Sequence, residues 1–186
     1  MIDTDVARFR AAEDPVGLAL TLIFDILWHL QYGSVDAIGT VPELLALSDQ
    51  IGAPQLVAHA SEVPGVVLWF QDDLDGSAVM LNKAAGIYQD IRNQQCAGHC
   101  LENIAGWAQR AGRAEAAAAI LGSASALRED TGIPTPRYET FLFEQIREAI
   151  RDDLGDDVHA VWDRGLELSM ESALEYAQEI TSAVVR

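Results

Sequence analysis

Apolar positions recur at helical spacing along most of the chain, and no stretch alternates as a half-buried strand would. The first strong run opens at Asp14-Pro15, an N-cap followed by proline at the first helical position. Leu18, Leu20, Leu22, Ile23, Phe24, Ile26, Leu27, Trp28 and Leu30 then make a helix to about Tyr32 that is apolar nearly all round. Such a helix must be covered on several sides. Gly33 stops it. Residues 1–13 are weakly patterned: Val6 and Phe9 offer a short leading turn, but a frayed start or the tail of a preceding element is the expectation.

A second helix is expected to begin at about 35 or 40 and to end at Gly52-Ala53-Pro54. Ser34 is one candidate N-cap; Thr40-Val41-Pro42-Glu43 has the form of a capping box. A third helix covers Pro54 to Gln71, with a kink expected at Pro64-Gly65. The stretch Asp72 to Gly76 reads as a turn. It lacks the spaced oxygen ligands and bidentate glutamate of a calcium loop. Ser77 is placed as the cap of a fourth helix, to about Ile91; a fifth covers about 94–111. The sixth, Arg113 to Gly132, is rich in small residues, so it can lie close to its neighbours. Gly132 stands at a left-handed stop and Pro134 bars continuation. Beyond the rigid Pro134-Thr135-Pro136, a seventh helix runs from Arg137 to Asp153, with Phe141, Leu142, Ile146, Ala149 and Ile150 inward. Asp156 and Ser169 are placed as the caps of an eighth and a ninth.

The helices pair periodically. Leu47-Ser48-Asp49-Gln50-Ile51-Gly52-Ala53-Pro54 matches Leu127-Arg128-Glu129-Asp130-Thr131-Gly132-Ile133-Pro134 at an offset of 80 residues, with Tyr88-Gln89-Asp90-Ile91 about midway. The expected organisation is one domain over residues 1–186, with helix pairs at about 15–53, 54–92 and 93–133. A period of about 40 residues belongs to two-helix solenoids, in which each pair buries its apolar face on the next. The fold class expected is all-α: a right-handed α-α superhelix of degenerate tetratricopeptide-like pairs. The helices of 134–186 form a C-terminal cap with a polar outer edge of Glu167, Glu171, Glu175 and Glu179.

Several motifs carry a family resemblance. They are A-x-x-L-G-x-A-x-x-L-R-E-x-x-G at Ala118 to Gly132, the L-G turn at Leu154-Gly155, W-x-x-G-x-x-L-S at Trp162 to Ser169, and a final A-L-x-x-A helix. Over residues 93–182 the chain resembles the C-terminal helical-repeat region of large actinobacterial signalling ATPases. In those proteins such repeats join a P-loop ATPase, some with an adenylate cyclase domain and others with a LuxR-type helix-turn-helix. The resemblance implies a regulatory repeat region without those neighbours. The chain has no G-x-x-x-x-G-K-[ST] phosphate loop, no cyclase-like carboxylate set and no terminal helix-turn-helix.

Charge narrows the partners. The formal net charge is −17, and Lys83 is the single lysine among 12 basic residues. Nucleic-acid and anionic-membrane binding both rest on Lys and Arg, so neither is expected. Two cysteines, no basic leader and no apolar run of about 18 residues point to a cytoplasmic chain.

Candidate chemistry is sparse. Cys96, His99 and Cys100 form C-x-x-H-C on one helical face, three zinc ligands in need of a fourth. Burial of the two cysteines in an inward stripe with Trp107 is the competing reading, and no metal or other cofactor is expected. His29, His59 and His159 read as isolated packing residues, and Trp28, Trp69, Trp107 and Trp162 as core anchors. Trp69 and Tyr88 are the alternative candidates for a ligand or partner groove. The function expected is a non-catalytic interaction or regulatory module, serving a protein partner or neighbouring domains of a longer chain. A small-effector sensor is the alternative, with a zinc protein or an enzyme remote. The all-round apolar helix 15–32 is expected to be covered by a second copy or a preceding neighbour.

Overall fold

The computed structural model describes residues 2–32, 34 and 36–183, and among them there is no strand. Two helices open the chain, α1 (Ile2–Ala11) and α2 (Pro15–Gln31). A 3-10 segment (Asp36–Thr40) leads into α3 (Val41–Ile51). Then come α4 (Pro54–Phe70), α5 (Leu74–Asp90), α6 (Gln94–Arg110) and α7 (Ala114–Thr131). After α8 (Arg137–Leu154), a short 3-10 turn (Gly155–Asp157) precedes α9 (Val158–Leu166) and α10 (Met170–Ser182). Residues 1–13 are therefore more than a frayed start: α1 packs on α2 through Val6 and Phe9.

The central helices start at residues 54, 74, 94 and 114, one every 20 residues. A repeated turn sets this spacing. Asp72, Arg92 and Gly112 occupy the same place in successive turns, with φ of 62°, 51° and 70°. In each, the next backbone N–H reaches back to a helix carbonyl: Asp73 to Leu68 at 3.0 Å, Asn93 to Tyr88 at 3.2 Å, Arg113 to Ala108 at 2.8 Å. This is a Schellman ending, which satisfies orphaned carbonyls and requires a left-handed residue. Glycine adopts that conformation without a Cβ penalty; Asp72 and Arg92 pay on the order of 1 kcal/mol for it. Asp73 then caps α5 by accepting from the Gly76 N–H at 2.9 Å. Ser77 is thus not the cap but lies inside α5, where its hydroxyl donates to the Gly65 carbonyl at 2.7 Å. That bond joins α5 to α4, which runs without interruption through Pro64.

Neighbouring helices pack as hairpins, α4 on α5 and α6 on α7, with α5 against α6. Leu81, Leu101, Ile104, Trp107, Ile120 and Leu121 form the centre of the core. The small residues of α7 admit α9 closely: a Cβ on Gly165 would lie 2.0 Å from the Ala119 carbonyl oxygen. The C-terminal helices do more than cover the last pair. α10 crosses α5, α6 and α7, while α8 reaches α6, α7 and α2. Polar contacts hold α10 there: Asn82 Nδ2 donates to the Gln178 carbonyl at 3.0 Å, and Arg113 Nη1 to the Ile180 carbonyl at 2.7 Å. This return of the chain brings α8 beside α6 and α2.

Some packing expectations change. Phe143 is buried on α8; the side chain of Phe141 lies outside the described residues, as does Gly33. Trp69 and Trp107 are core anchors and Trp162 is half-buried, but Trp28 is exposed. Trp28 belongs to a stripe on α2, with Val16, Leu20, Phe24 and Tyr32 at every fourth position, each at least 43% exposed. The opposite face, with Leu18, Leu22, Ile26 and Leu30, is buried. Among the described residues no helix is long and apolar enough to cross a membrane.

Candidate functional site

The 40-residue offset between α4 and α6 makes them equivalent helices, and each carries H-x-x-E at the same place. The first copy is His59-Ala60-Ser61-Glu62, the second His99-Cys100-Leu101-Glu102. The two glutamates are fully buried, at 0% and 1% exposure, and their settings differ.

Glu102 is closed off. Arg128 of α7 donates to both of its carboxylate oxygens, through Nη2 to Oε2 and through Nε to Oε1 at 3.2 Å. Thr135 Oγ1 donates to Oε1 at 3.2 Å, which pins the linker before α8.

Glu62 sits at the centre of a wider network. Its Oε1 accepts from His99 Nδ1 at 2.7 Å and from Asn103 Nδ2 at 2.9 Å, both on α6. Its Oε2 accepts from the Tyr88 hydroxyl of α5 at 2.8 Å, with His59 Nδ1 at 3.6 Å. An ionised carboxylate only accepts, so the proton of Tyr88 points to Glu62. The Tyr88 oxygen must then accept from His59, whose Nδ1 lies 2.9 Å away. His59 therefore carries a proton on Nδ1, and its Nε2 is left for Cys96, whose Sγ is 3.7 Å distant. Gln55 Nε2, one turn earlier on α4, lies 3.9 Å from the same sulfur.

His99 is held from both sides, since its Nε2 lies 3.0 Å from Glu139 Oε1 of α8. Two carboxylates facing two ring nitrogens make it an imidazolium. The charges follow. Burial opposes the charged form of Glu62, yet His99 and His59 hold its carboxyl well below the usual range. Burial alone would lower the two histidines. The charge of Glu62 and the bonds to Glu139 and Glu62 instead push His99 well up, and the bonds to Cys96 and Glu62 raise His59 to about 9.

Above this network lies a cavity of about 260 Å³. Its polar side is built from Gln55, His59, Cys96, His99, Arg128 and Glu139, and its apolar side from Leu20, Ile23, Phe24, Leu27 and Val63. Glu139 is 7% exposed, and its Oε2 has no hydrogen-bond partner.

The zinc candidates share one helical face, as their spacing requires, but do not converge on a free point. Both nitrogens of His99 already face carboxylates. Cys100 is fully buried, and burial with the charge of Glu62 pushes its thiol well up. Among the described residues no group of three or more His, Cys, Asp or Glu is arranged to hold a metal ion. Neither groove candidate lines this cavity. Trp69 is buried against Phe70 beneath Arg110, away from the cavity, and Tyr88 lies under the cavity as a relay between Glu62 and His59. His59 is not an isolated packing residue. The repeated H-x-x-E was the signal for it: a histidine and a glutamate conserved in spacing between two equivalent helices. Comparison of the chain with protein-family models, with curated proteins and with solved structures finds no match.

The network makes stability depend on pH in a stated direction. A raised histidine adds stability in full below its unfolded value of 6.5 and loses it as pH climbs to its folded value, about 9 for His59. Glu62 works at the other end, adding stability above 4.5 that is lost as pH falls below it. Melting followed from pH 6 to pH 9 is expected to show a loss on the order of 2–3 kcal/mol from His59. The His59→Gln variant is expected to show a smaller loss over the same span; equal losses in both proteins would contradict the assignment.

Proposed function

We propose that the chain is a small-effector-binding regulatory module whose ligand sits between α2, α4, α6 and α8. The observation that carries this reading is the unpartnered Glu139 Oε2 beside a cavity with one apolar side. A buried acceptor without a partner costs about 1–3 kcal/mol, which a ligand N–H or O–H would relieve once the Glu139 carboxylate turns that oxygen into the cavity. The walls of Leu20, Phe24 and Val63 call for an apolar body. At about 260 Å³ the space is smaller than most drug-sized sites and suits a ligand of about ten heavy atoms. The effector class is thus a short apolar chain bearing one hydrogen-bond donor. Leu20 and Phe24 border the cavity and also belong to the exposed α2 stripe. Occupancy of the cavity would therefore bear on the surface where a partner docks. In a signalling protein of the kind that residues 93–182 resemble, the module would pass an effector signal to its neighbours.

Thermal shift and calorimetry with octanol, octylamine and octanamide test this. Binding is expected to raise the melting temperature by about 2–4 °C per kcal/mol of stabilisation. Leu20→Trp, which fills the cavity from its rim, is expected to abolish the shift. No shift with any of the three would overturn the reading.

The α2 stripe favours self-association as a second reading. Asp25 is the only acidic residue of α2, and no Lys or Arg stands on it. Two copies at −17 each can meet there with few carboxylates opposed. Trp28 and Tyr32 pack edge to face with ring centres 5.1 Å apart, a rigid aromatic pair beyond the cavity. Sedimentation is expected to show a dimer that Trp28→Glu with Tyr32→Glu converts to monomer. A monomer at every concentration in the unsubstituted chain would sink this reading.

A further inference from the structure

Cys96 stands apart from an ordinary buried cysteine. It is the third residue of α6, and its backbone N–H donates to the N-cap Asn93 at 3.1 Å, which fixes its place in the first turn. The amide dipoles of that turn favour negative charge nearby. Two nitrogen groups converge on the sulfur, His59 Nε2 at 3.7 Å and Gln55 Nε2 at 3.9 Å. The relay from Glu62 through Tyr88 directs the Nδ1 proton of His59 to Tyr88, so Nε2 is the nitrogen that faces the sulfur. This is the order of parts in an activated thiol: nucleophile, base, and a group that orients the base. Cys96 lines the cavity, whereas Cys100, one turn further along α6, does not.

We propose that Cys96 is a covalent attachment point: its sulfur adds to the β-carbon of a small α,β-unsaturated carbonyl compound that enters the cavity, and His59 supplies the proton. The inference rests on the effector reading for the cavity, and adds a reaction to it. The sulfur electron pair forms the S–C bond. The C=C π pair moves to the α-carbon as an enolate, and the proton held between Sγ and His59 Nε2 passes to that carbon. The net change is addition of S–H across the double bond, with no oxidant, reductant or leaving group. The choice of electrophile follows from the site. A thiolate is a soft nucleophile and takes soft carbon centres. The apolar wall of Leu20, Phe24 and Val63 accepts an alkyl tail. A peptide disulfide is larger and more polar than a cavity of about 260 Å³ with that wall will take.

The test treats the full chain with conjugated trans-octenal and follows intact mass, then maps the adduct that survives dialysis. One adduct is expected, on Cys96, forming at least tenfold faster than on N-acetylcysteine at the same pH. Cys100→Ser is expected to react as the unsubstituted chain does, and Cys96→Ser to give no stable adduct. His59→Gln, checked for fold by circular dichroism, is expected to slow the reaction by about tenfold or more. An adduct confined to other residues, or labelling of Cys96 no faster than the free thiol, would overturn the proposal without reference to any variant. An unchanged rate in folded His59→Gln would overturn the role of the base. Octanol binding to Cys96→Ser separates the two readings. Octanol bound with no accelerated addition removes the covalent inference alone. Accelerated addition without octanol binding removes the reversible-effector reading alone, and failure of both removes both.

Discussion

The carboxylate of Glu62 has no access to water, and everything around it is arranged to keep it charged. Burying an ion costs several kcal/mol even after relaxation, so its oxygens must be saturated by donors. Three donors do this, and they come from two other helices: Tyr88 of α5, and His99 and Asn103 of α6. The carboxylate therefore fixes the relative position of α4, α5 and α6 more narrowly than apolar packing would, because each donor has a direction as well as a volume. Removing it leaves a tyrosine, an asparagine and an imidazolium unsatisfied together. Loss of one partner of a buried pair costs about 3–5 kcal/mol.

The same requirement produces the chemistry. Glu62 takes the proton of Tyr88, which obliges Tyr88 to accept from His59, which turns the second nitrogen of His59 toward Cys96. On the other side Glu62 holds His99, whose second nitrogen draws Glu139 inward from α8. Glu139 spends one oxygen on that bond and keeps the other without a partner. A structural network such as Glu102 with Arg128 and Thr135 ends satisfied. The Glu62 network ends in one free acceptor and one sulfur, carried by Glu139 and Cys96, two residues that line the same cavity.

Legibility in the sequence followed the range of the interactions. Helix ends governed by local rules were readable. Asp14-Pro15 opens α2, Ser169 caps α10 through the Ser172 N–H, and Gly132 stops α7 with φ of 66°. Of the three repeated left-handed turns only the one at Gly112 carries the glycine that marks such a residue; Asp72 and Arg92 carry no such mark, and at Asp72 the start of α5 lies away from Ser77. A glutamate on an apolar helix reads as solvated until its partners are known, and those of Glu62 lie 26 to 41 residues away. Glu139 reaches the site only because α8 folds back over α6, a contact that no local pattern encodes. The duplicated H-x-x-E was the part of the site within reach of the sequence, since equivalent helices place equivalent residues on the same face.

Imidazole nitrogen shifts read the central claim most directly, because they report which ring nitrogens carry protons. In a chain labelled at histidine and held at pH 7, His99 and His59 are both predicted to be protonated on both nitrogens, with the His59 Nδ1 proton directed at Tyr88. Substituting Glu62 by Gln should return His99 toward ordinary titration. A neutral His99 with one bare nitrogen at pH 7, in the unsubstituted chain, would contradict the account at its base.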